Sequence, residues 1–169
     1  MPVEWVDSVR NSFPTRDGCS AMPSPRPGND LRSPPSSFDE IVDWLEGWSY
    51  ALVLLESYAL TDLRAAITAV ESAVRAHREV TEPWVAPLID ADEETSRTAR
   101  VVLHDHAWFV TSLEQFEWFF RVVEGENHGG HRQALGQYGR VLAEALRRHR
   151  CDERWLEAKR TAPPRHGVP

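Results

Sequence analysis

Between Val101 and Val123 (VVLHDHAWFVTSLEQFEWFFRVV) apolar residues return every three or four positions. Val102, Phe109, Phe116 and Val123 stand seven apart, with His106, Leu113 and Phe120 between them. That is the spacing of a helix laid along partner helices. On a wheel of about 100° per residue, one half carries Val101, Phe109, Leu113, Phe116, Phe119 and Phe120. Trp108, Val110, Trp118 and Val122 fall on the other half among Glu114, Gln115, Glu117 and Arg121. A helix so apolar needs cover on more than one flank, so the pattern predicts the central post of a bundle.

The rest of the chain reads in the same period. Ser37-Phe38-Asp39-Glu40 has the form of a capping box, and Phe38, Ile41, Leu45, Trp48, Leu52, Leu55 and Ala59 make one face of a first helix. Thr61-Asp62 reads as a second N-cap. It opens a helix with Leu63, Ala66, Ile67, Val70, Val74 and His77 on its stripe, and a turn is expected near residues 59–61. Pro83 and Pro87 are expected to end this second helix in a short extended crossing anchored by Trp84. Asp90-Ala91-Asp92-Glu93 caps the third helix, whose first turns are polar on every side and are expected to project into solvent. Gly125 is expected to stop it. Asn127 then caps a fourth helix, roughly 128–150, with Ala134, Leu135, Tyr138, Val141, Leu142, Ala145 and Leu146 on its apolar face. Gly136 and Gly139 beside that face admit a close neighbour, and Asp152 reads as the cap of a last short helix. No strand-like alternation and no internal repeat interrupts this series. The expectation is an all-α, four-helix up-down bundle with a long central third helix, occupying residues 37–160. Disordered tails are expected at 1–36, which is rich in Pro and Ser, and at 161–169.

Composition narrows the function classes. A net charge of −7 opposes phosphate-backbone binding as the main role, and RRHR at 147–150 suits a helix end better than a nucleic-acid contact. No stretch is apolar for long enough to cross a membrane. The two cysteines, Cys19 and Cys151, make neither a disulfide framework nor a zinc module, so a soluble protein of the reducing cytoplasm is expected.

Candidate chemistry rests on histidines set on apolar stripes. If helices three and four form a hairpin, residue 149 lies level with about residue 104. His104 or His106, Asp105, His149 and Cys151 then share one end of the bundle, and imidazoles with a carboxylate are the ligand set of zinc or non-haem iron. His104 and His106 point about 160° apart, and Glu-x-x-His is missing, so structural histidines are the plainer expectation and no cofactor is called for. Asp105 falls inside the apolar half, where a carboxylate needs a partner; an Arg or Trp N–H, or a role as general acid or base, would supply the reason. The segment around Asn127, His128, His131 and Arg132 sets histidines and an arginine at a helix N-terminus, a candidate site for a small ligand. Arg100 and His106, five residues between them, resemble the Arg-x4–6-His motif of HEPN ribonucleases, a helical family. The resemblance covers these two residues and implies an RNA-cleaving pair, although on an unbroken helix they diverge by about 120°.

Two function classes are compatible with this pattern. The first is a non-enzymatic interaction module, a homodimer or the small subunit of a larger protein, motivated by Trp108, Trp118 and Val122 as a second apolar strip. The second is an enzyme: a HEPN-like nuclease through Arg100 and His106, or a metal-dependent bundle enzyme through Asp105, His106 and His149.

Overall fold

A computed structural model describes residues 38–54, 60–126 and 129–161. The described residues form four α-helices and no strand: α1 (Phe38–Val53), α2 (Leu60–Val85), α3 (Glu93–Glu126) and α4 (Gly129–Thr161), with a 3-10 turn, Ala86–Asp90, between α2 and α3. Along the bundle α1 lies on α4, α4 on α3 and α3 on α2. Pairs across each seam run in opposite directions. Arg64 meets Glu124 while Arg75 approaches Glu114, so α2 and α3 are antiparallel. The Tyr138 hydroxyl donates to the Ser112 carbonyl and His149 faces Asp105, so α3 and α4 are antiparallel too. Arg147 reaches Glu46, while a Cβ at Gly136 would lie 2.6 Å from the carbonyl oxygen of Ser49. The missing side chain at Gly136 therefore lets α1 and α4 approach closely.

The heptad positions of α3 are all buried: Val102, His106, Phe109, Leu113, Phe116, Phe120 and Val123. Ile41, Leu45, Trp48 and Leu52 of α1, Ile67, Val70 and Val74 of α2, and Leu135, Leu142 and Leu146 of α4 meet them in one core. A second, smaller core joins Val85, Ala99, Val102 and Leu156 with Trp84 and Trp155 packed against it. It exists because α3 and α4, at 34 and 33 residues, outrun α1 and α2, at 16 and 26. The 3-10 turn folds over the overhang.

Several local expectations are corrected. Pro83 lies inside the last turn of α2, and the chain leaves that helix through a 3-10 turn, not an extended crossing; its missing N–H deprives the Glu79 carbonyl of one rung, and the helix ends two residues later. Asp92 does cap α3, accepting from the Thr95 backbone N–H at 3.1 Å and its hydroxyl at 2.7 Å. The first turns of α3 do not project freely, however, since Thr95, Thr98 and Ala99 are buried against the overhang. Val101 is exposed where the wheel put it inside, and so is Ala134. Gly125 does not stop α3, which runs to Glu126. The fourth helix is one rod through Asp152 to Thr161, with no separate final helix, because no proline or glycine interrupts 140–161. The 147–150 arginines are consequently mid-helix, and Arg147 is paired with Glu46, Asp43 and Glu144. The expected tails, the Ser37 cap, Asn127 and the turn at residue 59 lie outside the described residues; α2 has already begun at Leu60.

Candidate metal centre

Between the two cores the bundle carries a polar layer. His77 comes from α2, Asp105 and His106 from α3, and His149 and Glu153 from α4. On α4 the buried stripe runs Leu142, Leu146, His149, Glu153, Leu156, so histidine and glutamate occupy positions that apolar residues hold on either side. They stand four residues apart and therefore share one face. Side-chain exposure is 14% for His77, 1% for His106 and 0% for both His149 and Glu153.

Three imidazoles turn Nε2 toward one oxygen. Glu153 Oε1 lies 2.7 Å from His77 Nε2, 3.2 Å from His149 Nε2 and 3.7 Å from His106 Nε2. The donor atoms of all four residues fall within 4.8 Å of one another. A tetrahedral ion with bonds of about 2.0–2.1 Å holds its donors about 3.3 Å apart, and the three carboxylate distances straddle that separation. The far ring nitrogens are backed by carboxylates: Asp105 Oδ2 is 3.4 Å from His149 Nδ1, and Glu82 Oε1 is 3.4 Å from His106 Nδ1. A carboxylate behind a ligating imidazole fixes its tautomer and raises its basicity. Neither ring nitrogen of His106 or His149 is in hydrogen-bonding geometry with any group. Buried polar atoms left this way are exceptional.

Burial and charge act against each other in this layer. Burial alone would push the Glu153 carboxyl up, but His106, His149 and His77 outweigh it and hold the group well below the usual carboxylate range. Burial alone would pull His149 down, but Asp105 and Glu153 outweigh it and hold the imidazole above its ordinary value. Arg150 Nη1, 3.1 Å from Glu153 Oε2, and Arg78 Nε, 2.7 Å from Glu82 Oε1, offset two of the three carboxylates. The third carboxylate, Asp105, faces His149 Nδ1.

The structure brings Asp105, His106 and His149 together, and the partner of Asp105 is His149, not the Arg or Trp N–H expected. His104 is 74% exposed, with Nδ1 3.9 Å from Asp105 Oδ1 at the rim of the layer, and is not one of the four converging donors. Cys151, expected as a neighbouring thiol, is disulfide-bonded and offers no thiolate. Cys19 lies outside the described residues. Arg100 is exposed, with Nε 3.5 Å from Ser96 Oγ, whereas His106 faces the core, so the two form no joint site. His131 and Arg132 are half-buried on the first turn of α4, at the opposite end of the bundle from the layer; His128 is outside the described residues. Of the expected outer strip, Trp118 is 56% exposed, while Trp108 and Val122 are half-buried, Trp108 against the core.

Sequence reasoning misses two of the four donors. Glu153 is lost when the fourth helix is broken at Asp152, although its place three and four residues from Leu156 and His149 is a signal. His77 reads as a stripe residue but not as a ligand, because its partners come from α3 and α4. No helix among the described residues is long and apolar enough to cross a membrane. Comparison with protein families, curated proteins and solved structures finds no match to this chain.

Proposed function

We propose that this chain is a metal-dependent helical-bundle protein, with His77, His106, His149 and Glu153 holding one divalent first-row ion. The observation that carries this reading is the convergence of four donor atoms from three helices, three of their side chains 1% exposed or less. Three imidazoles with one carboxylate and no thiolate suit zinc, iron or manganese, whereas calcium and magnesium take oxygen donors. Such an ion supplies Lewis-acid polarisation and an acidified bound water. The chain's own residues supply the rest: Asp105 and Glu82 orient two of the rings, and the apolar cores on either side exclude bulk water.

Metal analysis of untagged protein, followed by titration of the chelator-stripped chain with zinc, manganese and ferrous iron, tests the reading. One equivalent of one of these ions is expected, and its loss in His149→Ala. No uptake of any of the three by the folded wild type overturns it. The assembly reading, a homodimer or a subunit of a larger protein, retains Trp118 as its exposed aromatic; a scattering mass above one chain would speak for it.

A further inference from the structure

The four donors are not equivalent. His106, His149 and Glu153 are buried to within 1%, on the two long helices, with apolar core residues before and after them along each helix. Glu82 and Asp105 stand behind the two rings. His77 differs on each count. It is the most exposed donor, and among the described residues no carboxylate besides Glu153 lies within ion-pair distance of it. Two nearby residues on its C-terminal side, Glu79 and Val80, are exposed. Pro83, within the same helix, has no N–H to offer the Glu79 carbonyl, so the turn beyond His77 lacks one rung of its ladder. Its ring is stacked on Phe38, the first residue of α1, with centroids 4.1 Å apart and planes 24° from parallel.

Resting on the metal reading above, we infer that the donors divide into a fixed triad, His106, His149 and Glu153, and one detachable ligand, His77. Its departure opens a coordination position on the side faced by Phe38. Two histidines and one carboxylate are enough to hold a divalent ion while leaving positions open, and a catalytic site needs such a position where a purely structural one is closed. The ligand admitted there is a small anion with a hard nitrogen or oxygen donor, since it must take the place of one imidazole in a layer where Phe38 and Phe109 lie against the rings.

Cobalt(II) in the full chain makes the coordination sphere visible, and azide is the probe for the opened position. Wild type and His77→Ala are each expected to bind one cobalt, with a four-coordinate visible spectrum in the wild type. Azide should alter both spectra, acting on His77→Ala at a concentration at least about tenfold lower, because no imidazole has first to be displaced. His106→Ala and His149→Ala should lose the cobalt. His77→Gln, which keeps a polar side chain of similar reach, repeats the test if the alanine variant is not helical by circular dichroism. Loss of cobalt from the folded His77 variant to the same degree as from His106→Ala would make His77 a fixed ligand and overturn the inference. Equal azide response in wild type and variant, or a wild type indifferent to azide at saturation, overturns it as well. Those results leave the metal reading intact; a wild type that binds no cobalt removes both.

Discussion

Replacing Glu153 by glutamine in the chelator-stripped protein isolates the charge at the middle of the polar layer. The carboxylate is fully buried, and its Oε1 lies 2.7 and 3.2 Å from the Nε2 atoms of His77 and His149 while its Oε2 holds Arg150 at 3.1 Å. Glutamine keeps the shape and removes the charge, leaving the elevated His149 with Asp105 alone. Breaking a buried pair from one side costs about 3–5 kcal/mol, a large part of the roughly 5–15 kcal/mol that holds a domain of this size folded. With a urea slope of about 1–3 kcal/mol per molar, the unfolding midpoint should fall by more than about 1 M. The pH dependence has a definite sign. A carboxyl lowered from its ordinary 4.5 stabilises the fold above that value, and loses the contribution as pH falls through the folded-state value. An imidazole raised from its ordinary 6.5 stabilises the fold below that value, and loses the contribution as pH rises through the folded-state value. Both contributions are whole between 4.5 and 6.5, so the penalty of Glu153→Gln should be greatest there and shrink in alkali as His149 gives up its proton. Urea titrations at three pH values, each in chelator, measure it. A loss under about 1 kcal/mol, the scale of a surface ion pair, or a loss that grows from mildly acid to alkaline pH, would refute the argument that this carboxylate balances imidazolium charge.

The same geometry sets two further outcomes. Asp105→Asn keeps a hydrogen-bonding group behind His149 but removes the charge that faces Nδ1 at 3.4 Å; ion affinity should drop about 10–100-fold in a chelator competition, and an unchanged affinity would deny Asp105 its orienting part. Gly136→Ala should gain about 1 kcal/mol from helix propensity alone. Its new Cβ, however, would lie 2.6 Å from the Ser49 carbonyl oxygen and 2.9 Å from Val53 Cγ2, and overpacking of that kind costs about 1–3 kcal/mol. Thermal unfolding should therefore show a net loss, and a raised melting temperature would mean that α1 does not approach α4 so closely.

The bundle is legible where the period is long and uninterrupted. In α3 the seven-residue spacing names the buried row from Val102 to Val123, with Asp105 and Ser112 buried beside it, because a helix covered on two flanks must repeat its apolar face over many turns. Legibility fails at the ends. Asp92 and Asp152 look alike locally, yet the first caps α3 through Thr95 while the second sits inside α4. What separates them is the stripe through Asp152: His149, Glu153 and Leu156 continue the row of Leu142 and Leu146, and tertiary burial of that row overrides the local capping preference. Pro83 is the reverse case, since a breaker tolerated in a last turn reads as a boundary.

The same misplaced boundary hides the site. With Glu153 cut from the stripe, the remaining histidines have no common anion, and His104 competes with His106 for a place that only one of two residues about 160° apart can take. The pair Asp105–His106 resolves once α3 is seen to be gripped from two sides: His106 faces α2 and the centre of the layer, while Asp105, about 100° around the helix, faces His149 on α4. Two adjacent buried polar residues are then each accounted for. Stability does not account for the layer as a whole. Apolar side chains at these positions would join the two cores directly, and buried ion clusters are often matched or surpassed by well-packed hydrophobic replacements. What three imidazoles and a carboxylate add, and leucines would not, is a set of donors aimed at one point.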